Sequence, residues 1–138
     1  MQDMVTREVT LKLAINSQEP FTLPCSGRNI SEMITGYLFT NGLIDAVGDI
    51  RSLDYDLQSQ EAVVETKAEK NMLNGVKWDS EIHMPAQRVF ELMDEFTRLS
   101  DRFKETGGVH TAALVTPEGI KKYFDDISRH NAIDTIIG

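Results

Sequence analysis

The sequence predicts a mixed α and β fold in two parts. A small α+β roll spans residues 1–68, an α/β layered part spans 81–138, and a linker covers 69–80. Three observations predict it. The chain opens with strand-like alternation, Val9, Leu11, Leu13 and Ile15 against Thr10, Lys12 and Ala14. A helical apolar stripe follows, formed by Ile30, Met33, Ile34, Tyr37 and Leu38. After a polar, Lys-rich stretch the order becomes helix, apolar strand, tight turn, strand, helix.

The elements follow in order. Asn16 to Pro20 holds turn formers and Phe21-Thr22-Leu23 resumes the alternation, so the chain begins as a β-hairpin. Pro24 to Gly27 reads as a loop. Asn29 is placed to cap the next helix, with Glu32 completing a capping box, and Asn41-Gly42 supplies a left-handed exit. Between Asp49 and Thr66 lie two more strands, one alternating through Leu53, Tyr55 and Leu57, the other β-branched over 62–66. Asn74-Gly75 predicts a loose ribbon from Asn71 to Ile82. Pro85 suits the first turn of one long helix whose stripe runs through Val89, Leu92, Met93, Phe96, Leu99 and Phe103. Val109 to Val115 is apolar enough for a strand covered on both faces. Thr116-Pro117-Glu118-Gly119 is a tight turn into a partner strand, Ile120 to Phe124. Arg129 to Ile137 is a final helix, with Ala132, Ile133, Ile136 and Ile137 expected on its buried side.

Composition narrows the function classes. The 138 residues carry 14 Lys+Arg against 22 Asp+Glu, a net charge of -8, which excludes a basic nucleic-acid coat or a polybasic membrane anchor. At 41% hydrophobic and 26% charged residues the chain has the composition of a globular domain. No apolar run reaches the ~20 residues of a membrane span, and no signal peptide pattern opens the chain, so a cytoplasmic protein is expected. A single cysteine, Cys25, excludes an intrachain disulfide and a multi-thiolate zinc site. Neither a zinc-deaminase motif nor a P-loop, Gly-x-Gly-x-x-Gly or Gly-x-Ser-x-Gly pattern occurs.

Three places can carry chemistry. Thr106-Gly107-Gly108-Val109-His110 sets two glycines between a helix and a strand; backbone N–H groups there can approach a ligand, or simply cap the helix. His110 is either a ligand or a hydrogen-bonded core histidine. In Asp125-Asp126-Ile127-Ser128-Arg129-His130-Asn131, Ser128 is the expected N-cap, and Arg129 and His130 bring positive charge to a helix start, where the dipole favours anions. Such a cluster holds a phosphate or carboxylate, unless Asp125 or Asp126 merely pairs with Arg129. Cys25 lies beside a helix N-terminus that would favour its thiolate, or is a small buried side chain.

The segments Thr106-Gly107-Gly108-Val109-His110-Thr111-Ala112-Ala113-Leu114 and Asp126-Ile127-Ser128-Arg129-His130-Asn131-Ala132-Ile133-Asp134, with the closing Ile136-Ile137-Gly138, closely resemble the FdhD/NarQ family of formate dehydrogenase accessory proteins. Pro24-Cys25-Ser26-Gly27, Ile34-Thr35-Gly36-Tyr37-Leu38 and Asn41-Gly42-Leu43-Ile44 resemble its N-terminal loop, helix and turn. The resemblance covers roughly residues 7–66 and 99–138. It implies a β-roll-like N-terminal part and a deaminase-like α/β sandwich without catalytic zinc, here shortened. It also implies a cytoplasmic homodimer that takes sulfur from a cysteine desulfurase and passes it to molybdopterin guanine dinucleotide, bound through its nucleotide parts, before insertion into formate dehydrogenase. Ligand residues expected on this basis are Thr106, Gly107, Gly108, His110, Asp126, Arg129, His130 and Asn131.

The chain also departs from the family. The sulfur-carrying Cys-x-x-Cys belongs between the N-terminal part and the long helix, but Thr66 to Ile82 contains no cysteine. The family's Gly before Arg-His-Asn is Ser128, its Glu-Asp pair is Asp125-Asp126, and the last half of its deaminase-like domain has no counterpart before Gly138. Three readings follow: an accessory protein that binds the guanine dinucleotide without sulfur transfer by the usual thiols, a non-catalytic module that pairs with a full-length relative, or an enzyme with a persulfide on Cys25. A homodimer is expected in addition, because an apolar strand with one partner strand and one short helix leaves surface uncovered.

Overall fold

The computed structural model describes residues 6–67 and 82–138. The expected 71–82 ribbon falls almost wholly outside these residues. Strands β1 (Val9–Ile15), β2 (Phe21–Cys25), β3 (Ile50–Asp56) and β4 (Glu61–Thr66) form one sheet in the order β2-β1-β4-β3. β1 is antiparallel to β2 and parallel to β4, and β3 closes the other edge antiparallel to β4. The parallel β1–β4 pair requires a crossover, and helix α1 (Ile30–Thr40) lies within it.

The alternation read along β1 has its physical counterpart in the core. Val9, Leu11, Leu13 and Ile15 are buried, as are Ala62 and Val64 of β4, in one cluster with Ile30, Met33, Ile34 and Leu38 of α1. α1 ends as expected: Gly42 takes a φ of 70°, its N–H bonds to Phe39, and the Leu43 N–H bonds to Leu38. Its start differs. Asn29 is itself left-handed (φ 49°) and its side chain does not cap; the Glu32 carboxylate accepts the Ser31 hydroxyl instead of closing a capping box.

The other face of α1 meets helix α4 (Arg129–Ile137). Glu32, Gly36 and Thr40, four residues apart, form this stripe. A Cβ on Gly36 would lie 2.9 Å from the Asp134 Cα and closer still to the Asp134 carbonyl, so the glycine is what lets the two backbones meet. This contact corrects the expected orientation of α4. Asn131, Ala132, Asp134 and Thr135 are its buried residues, whereas Ile133 and Ile137 are exposed. Close approach selects small side chains, and the polar ones are satisfied: Thr135 donates to the Asn131 carbonyl and Thr40 to Asp134.

The expected long helix is two. α2 (Ala86–Phe96) and α3 (Asp101–Thr106) are separated at Ser100, whose hydroxyl accepts the Phe103 N–H as an N-cap and donates to Asp125 at 2.8 Å. Strands β5 (His110–Thr116) and β6 (Gly119–Asp126) form a separate two-stranded antiparallel ribbon, and α4 packs against both. The expectation that this strand is covered on both faces is not met. Leu114 is 51% exposed and Val115 40%, because among the described residues no further strand pairs with the ribbon. On α2 and α3, Phe90, Met93 and Phe103 are exposed, and Leu92 is the one buried apolar residue of α2. No helix among the described residues is long and apolar enough to cross a membrane.

Candidate functional site

The loop between β2 and α1 is fastened from the far end of the chain. The Asp126 carboxylate, 2% exposed, accepts the Ser26 N–H at 3.0 Å through Oδ2. Its Oδ1 accepts the Ser128 N–H at 3.0 Å and the Asn131 amide at 3.1 Å. The same amide nitrogen donates to the Pro24 carbonyl at 2.8 Å. The Asp126 carboxylate and the Asn131 amide nitrogen, expected to contact ligand, are thus occupied in joining the 24–28 loop to the start of α4. The Ser128 hydroxyl does not cap α4; the Ser128 backbone N–H itself donates to Asp126. Neither aspartate pairs with Arg129: Asp125 accepts hydroxyls from Ser100 and Thr111, the latter at 2.6 Å.

The other expected residues lie around this junction. His110 stands opposite Asp126 in the β5–β6 register and is exposed rather than buried. Gly107, with φ 59°, forms the left-handed C-cap of α3, and the Gly108 N–H donates to the Thr106 hydroxyl at 3.1 Å. That hydroxyl also takes a 3.2 Å bond from Thr6. Arg129 and His130 are exposed at the start of α4. His130 borders a shallow depression with Tyr37, Asn41 and Asp134, away from Thr106.

A cleft of about 440 Å³ opens where the strand β1 entrance, the 26–28 loop and α3 converge. Arg7, Arg28, Arg102, Ser26, Gly27 and Thr106 line it. Gly27, at φ 72°, presses the loop against β1: a Cβ would lie 2.9 Å from Val9 Cγ2. Of the residues singled out in the sequence as ligand contacts, Thr106 alone lines this cleft. Its three arginines carried no local signal, since they belong to segments far apart in the chain and each reads alone as a surface residue.

Two titratable groups bear on the chemistry. Cys25 is fully buried, and burial is the main reason its thiol is pushed above the ordinary value, with Asp126 and Glu8 adding to the shift. A neighbouring backbone N–H at Gly27 opposes it without reversing it. Of the two readings of Cys25, the small buried side chain is the one the structure bears out, and the thiolate is disfavoured. Asp134 is also pushed up by burial, against the lowering effects of the Thr40 hydrogen bond and His130. Among the described residues no group of three His, Cys, Asp or Glu side chains is placed to hold a metal ion.

Known proteins resemble both halves of this arrangement. The chain is 29% identical over 170 aligned positions to the sulfur carrier protein FdhD of Listeria innocua, and 32% identical over 165 to that of Halalkalibacterium halodurans. These alignments take in 100% and 99% of the chain but 64% and 61% of the relatives, so it spans a little over three-fifths of their length. They also run longer than the chain's 138 residues, so the relatives carry positions inside the matched span that this chain lacks. The fold matches a solved structure assigned as a formate dehydrogenase accessory protein from Desulfotalea psychrophila. The TM-score is 0.79 at 21% identity, over 96% of this chain and 59% of that one. A model of the FdhD/NarQ family matches residues 6–80 and again 70–138, taking in the 26–28 loop and Thr106, which border the cleft, together with α1 and α4. On that match across both halves, the chain belongs to the FdhD/NarQ family.

Proposed function

We propose that this chain is an accessory protein of formate dehydrogenase maturation that binds molybdopterin guanine dinucleotide, or a related nucleotide, as cargo and does not relay sulfur through paired thiols. One observation carries the reading. The motif blocks that resemble the family, Ser26-Gly27 from the first half and Thr106 from the second, border one cleft together with three arginines. A cleft of this size is of the order that small ligands occupy. Guanidinium groups suit phosphate oxygens, which they can contact in pairs. The second part of the reading rests on the thiols. Sulfur relay needs an accessible thiolate, usually with a resolving partner. The chain has one cysteine, and it is buried with a raised pKa.

In this reading the 81–138 part corresponds to a shortened deaminase-like layer without zinc. The protein works in the cytoplasm beside a cysteine desulfurase and formate dehydrogenase. The exposed apolar residues of α2 and of the β5–β6 ribbon support a homodimer. The same exposed surface supports the second reading, a ligand-free module that pairs with a full-length relative.

Calorimetry with GDP tests the first part. Binding in the micromolar to millimolar range supports the cargo reading, and no heat at millimolar GDP favours the ligand-free module. Mass spectrometry after incubation with a cysteine desulfurase and cysteine tests the second. Unmodified Cys25 is expected, and a stable persulfide on it would refute the claim.

A further inference from the structure

We infer that the outer edge of β5 is the docking site for a third strand, supplied by the portion of the family fold that the relatives carry beyond the span matched here. That strand is apolar on both faces. The inference does not depend on the nucleotide reading.

The first argument is the difference between the two edges of the ribbon. Among the described residues β5 and β6 pair only with each other, so each has one free edge. β6 carries Lys121 and Lys122, the kind of charge that keeps a free edge from pairing. β5 reads His110-Thr111-Ala112-Ala113-Leu114-Val115-Thr116, with no lysine, arginine, acidic residue or proline. By these devices β6 is closed to a further strand and β5 is open to one.

The second argument is where the apolar depressions lie. Three flank the ribbon; all three are lined by residues of β5 and none by a residue of β6. Successive strand residues face opposite sides. On one side Leu114 borders a depression of about 420 Å³ walled by Ile136 and Ile137 of α4 and by Val47. On the other, Ala113 and Val115 border one of about 270 Å³ against Leu92 and Met93 of α2. Thr111 borders a further one of about 260 Å³ against Phe96 and Phe103. A strand laid beside β5 would send alternate side chains into both sets, so its apolar residues run consecutively instead of alternating.

The third argument identifies the occupant. The two sulfur carrier relatives extend beyond the matched span by more than a third of their own length, and the solved accessory protein by about two-fifths. A fold that continues by that much packs on apolar surface left by the matched part. The β5 edge offers such surface together with free backbone donors and acceptors, which is what strand addition uses.

The test supplies that portion in trans. The part of the Listeria innocua relative outside the matched span is coexpressed with this chain as a separate polypeptide, and overlapping synthetic peptides from the same part are titrated against the purified chain. Amide hydrogen exchange followed by mass spectrometry reads the site. The coexpressed part is expected to copurify, and at least one peptide with an apolar run to bind. Either should slow exchange of the 110–116 amides about tenfold or more and leave those of edge strand β3 unchanged. Leu114→Glu and Val115→Glu put a carboxylate beside the depressions on the two faces. Both side chains are exposed in the chain alone, so its melting temperature should hold, while binding weakens about tenfold or more in each. Lys121→Ala on β6 should leave binding unchanged. Absence of binding by both the coexpressed part and every peptide at millimolar concentration overturns the inference, as does binding that ignores both β5 substitutions or that protects β3 instead. So does protection of β5 in the chain alone that grows with its concentration, which would seat a second copy there.

Discussion

Replacing Asp126 by Asn changes one atom of the side chain and should unfasten the 24–28 loop. The carboxylate accepts three N–H groups from three places: the Ser26 backbone through Oδ2, and the Ser128 backbone and Asn131 amide through Oδ1. An amide has one acceptor oxygen. If it faces Ser128 and Asn131, its NH2 group meets the Ser26 N–H, donor against donor, in a place that is 2% solvent-exposed. Three charge-assisted bonds at about 2 kcal/mol each become two neutral ones at about 1 kcal/mol, with one buried donor left unsatisfied. The lower cost of burying an amide than a carboxylate returns part of this, leaving a net loss of about 3 kcal/mol. For a chain of this length that corresponds to a melting temperature lower by roughly 10 °C. Asp125→Asn is the internal control. Its partners are the Ser100 and Thr111 hydroxyls, which can rotate to accept from an amide as readily as donate to it, so its cost should stay below about 1 kcal/mol. Thermal unfolding by circular dichroism compares the two. If Asp126→Asn melts within a degree or two of Asp125→Asn, the loop is not held in the way described.

Gly36→Ala should gain up to ~1 kcal/mol of helix propensity, but its Cβ collides with the Asp134 backbone. A net loss of about 1–2 kcal/mol is expected, read as a melting temperature lower by roughly 3–7 °C; a variant as stable as wild type would show that α1 and α4 do not meet there. The Cys25 thiol, buried and with a raised pKa, should react with a thiol reagent at neutral pH far more slowly in the native protein than in denaturant. Equal rates would contradict its burial. Asp134 is a carboxyl whose folded pKa lies above the ordinary 3.8, so the fold holds its proton more tightly than the unfolded chain and loses stability as pH rises from that value through the raised one. Asp134→Asn, whose amide oxygen can still accept from Thr40, should therefore be at least as stable as wild type at pH 7 and lose that advantage near pH 4. Urea titrations at the two pH values check this, and an advantage that grows in acid would refute it.

What was legible in the sequence was whatever a segment says about itself. The alternation of β1, the α1 stripe and the Asn41-Gly42 exit each follow from local spacing, and each is present. What failed depended on partners distant in the chain. The polar face of α4 is buried because Gly36, about a hundred residues earlier, offers a backbone to pack against. The helix breaks at Ser100 because that hydroxyl caps α3 and reaches Asp125. The site divides in the same way. Asp126 and Asn131 stood out as chemistry-bearing residues, and the structure shows what their polar groups hold: a loop. The cleft itself was not legible, because it is a meeting of residues 7, 28 and 102, none of which breaks a local rule.

The most direct test of the account is the position of bound GDP in a crystal of the full chain soaked at millimolar concentration. The account predicts a diphosphate in contact with the Arg7, Arg28 and Arg102 guanidinium groups, with the base toward Val9 and Leu57 and Cys25 still buried beneath the loop. A cleft left empty at that concentration, or GDP seated at Arg129 and His130 with the three arginines untouched, would contradict it.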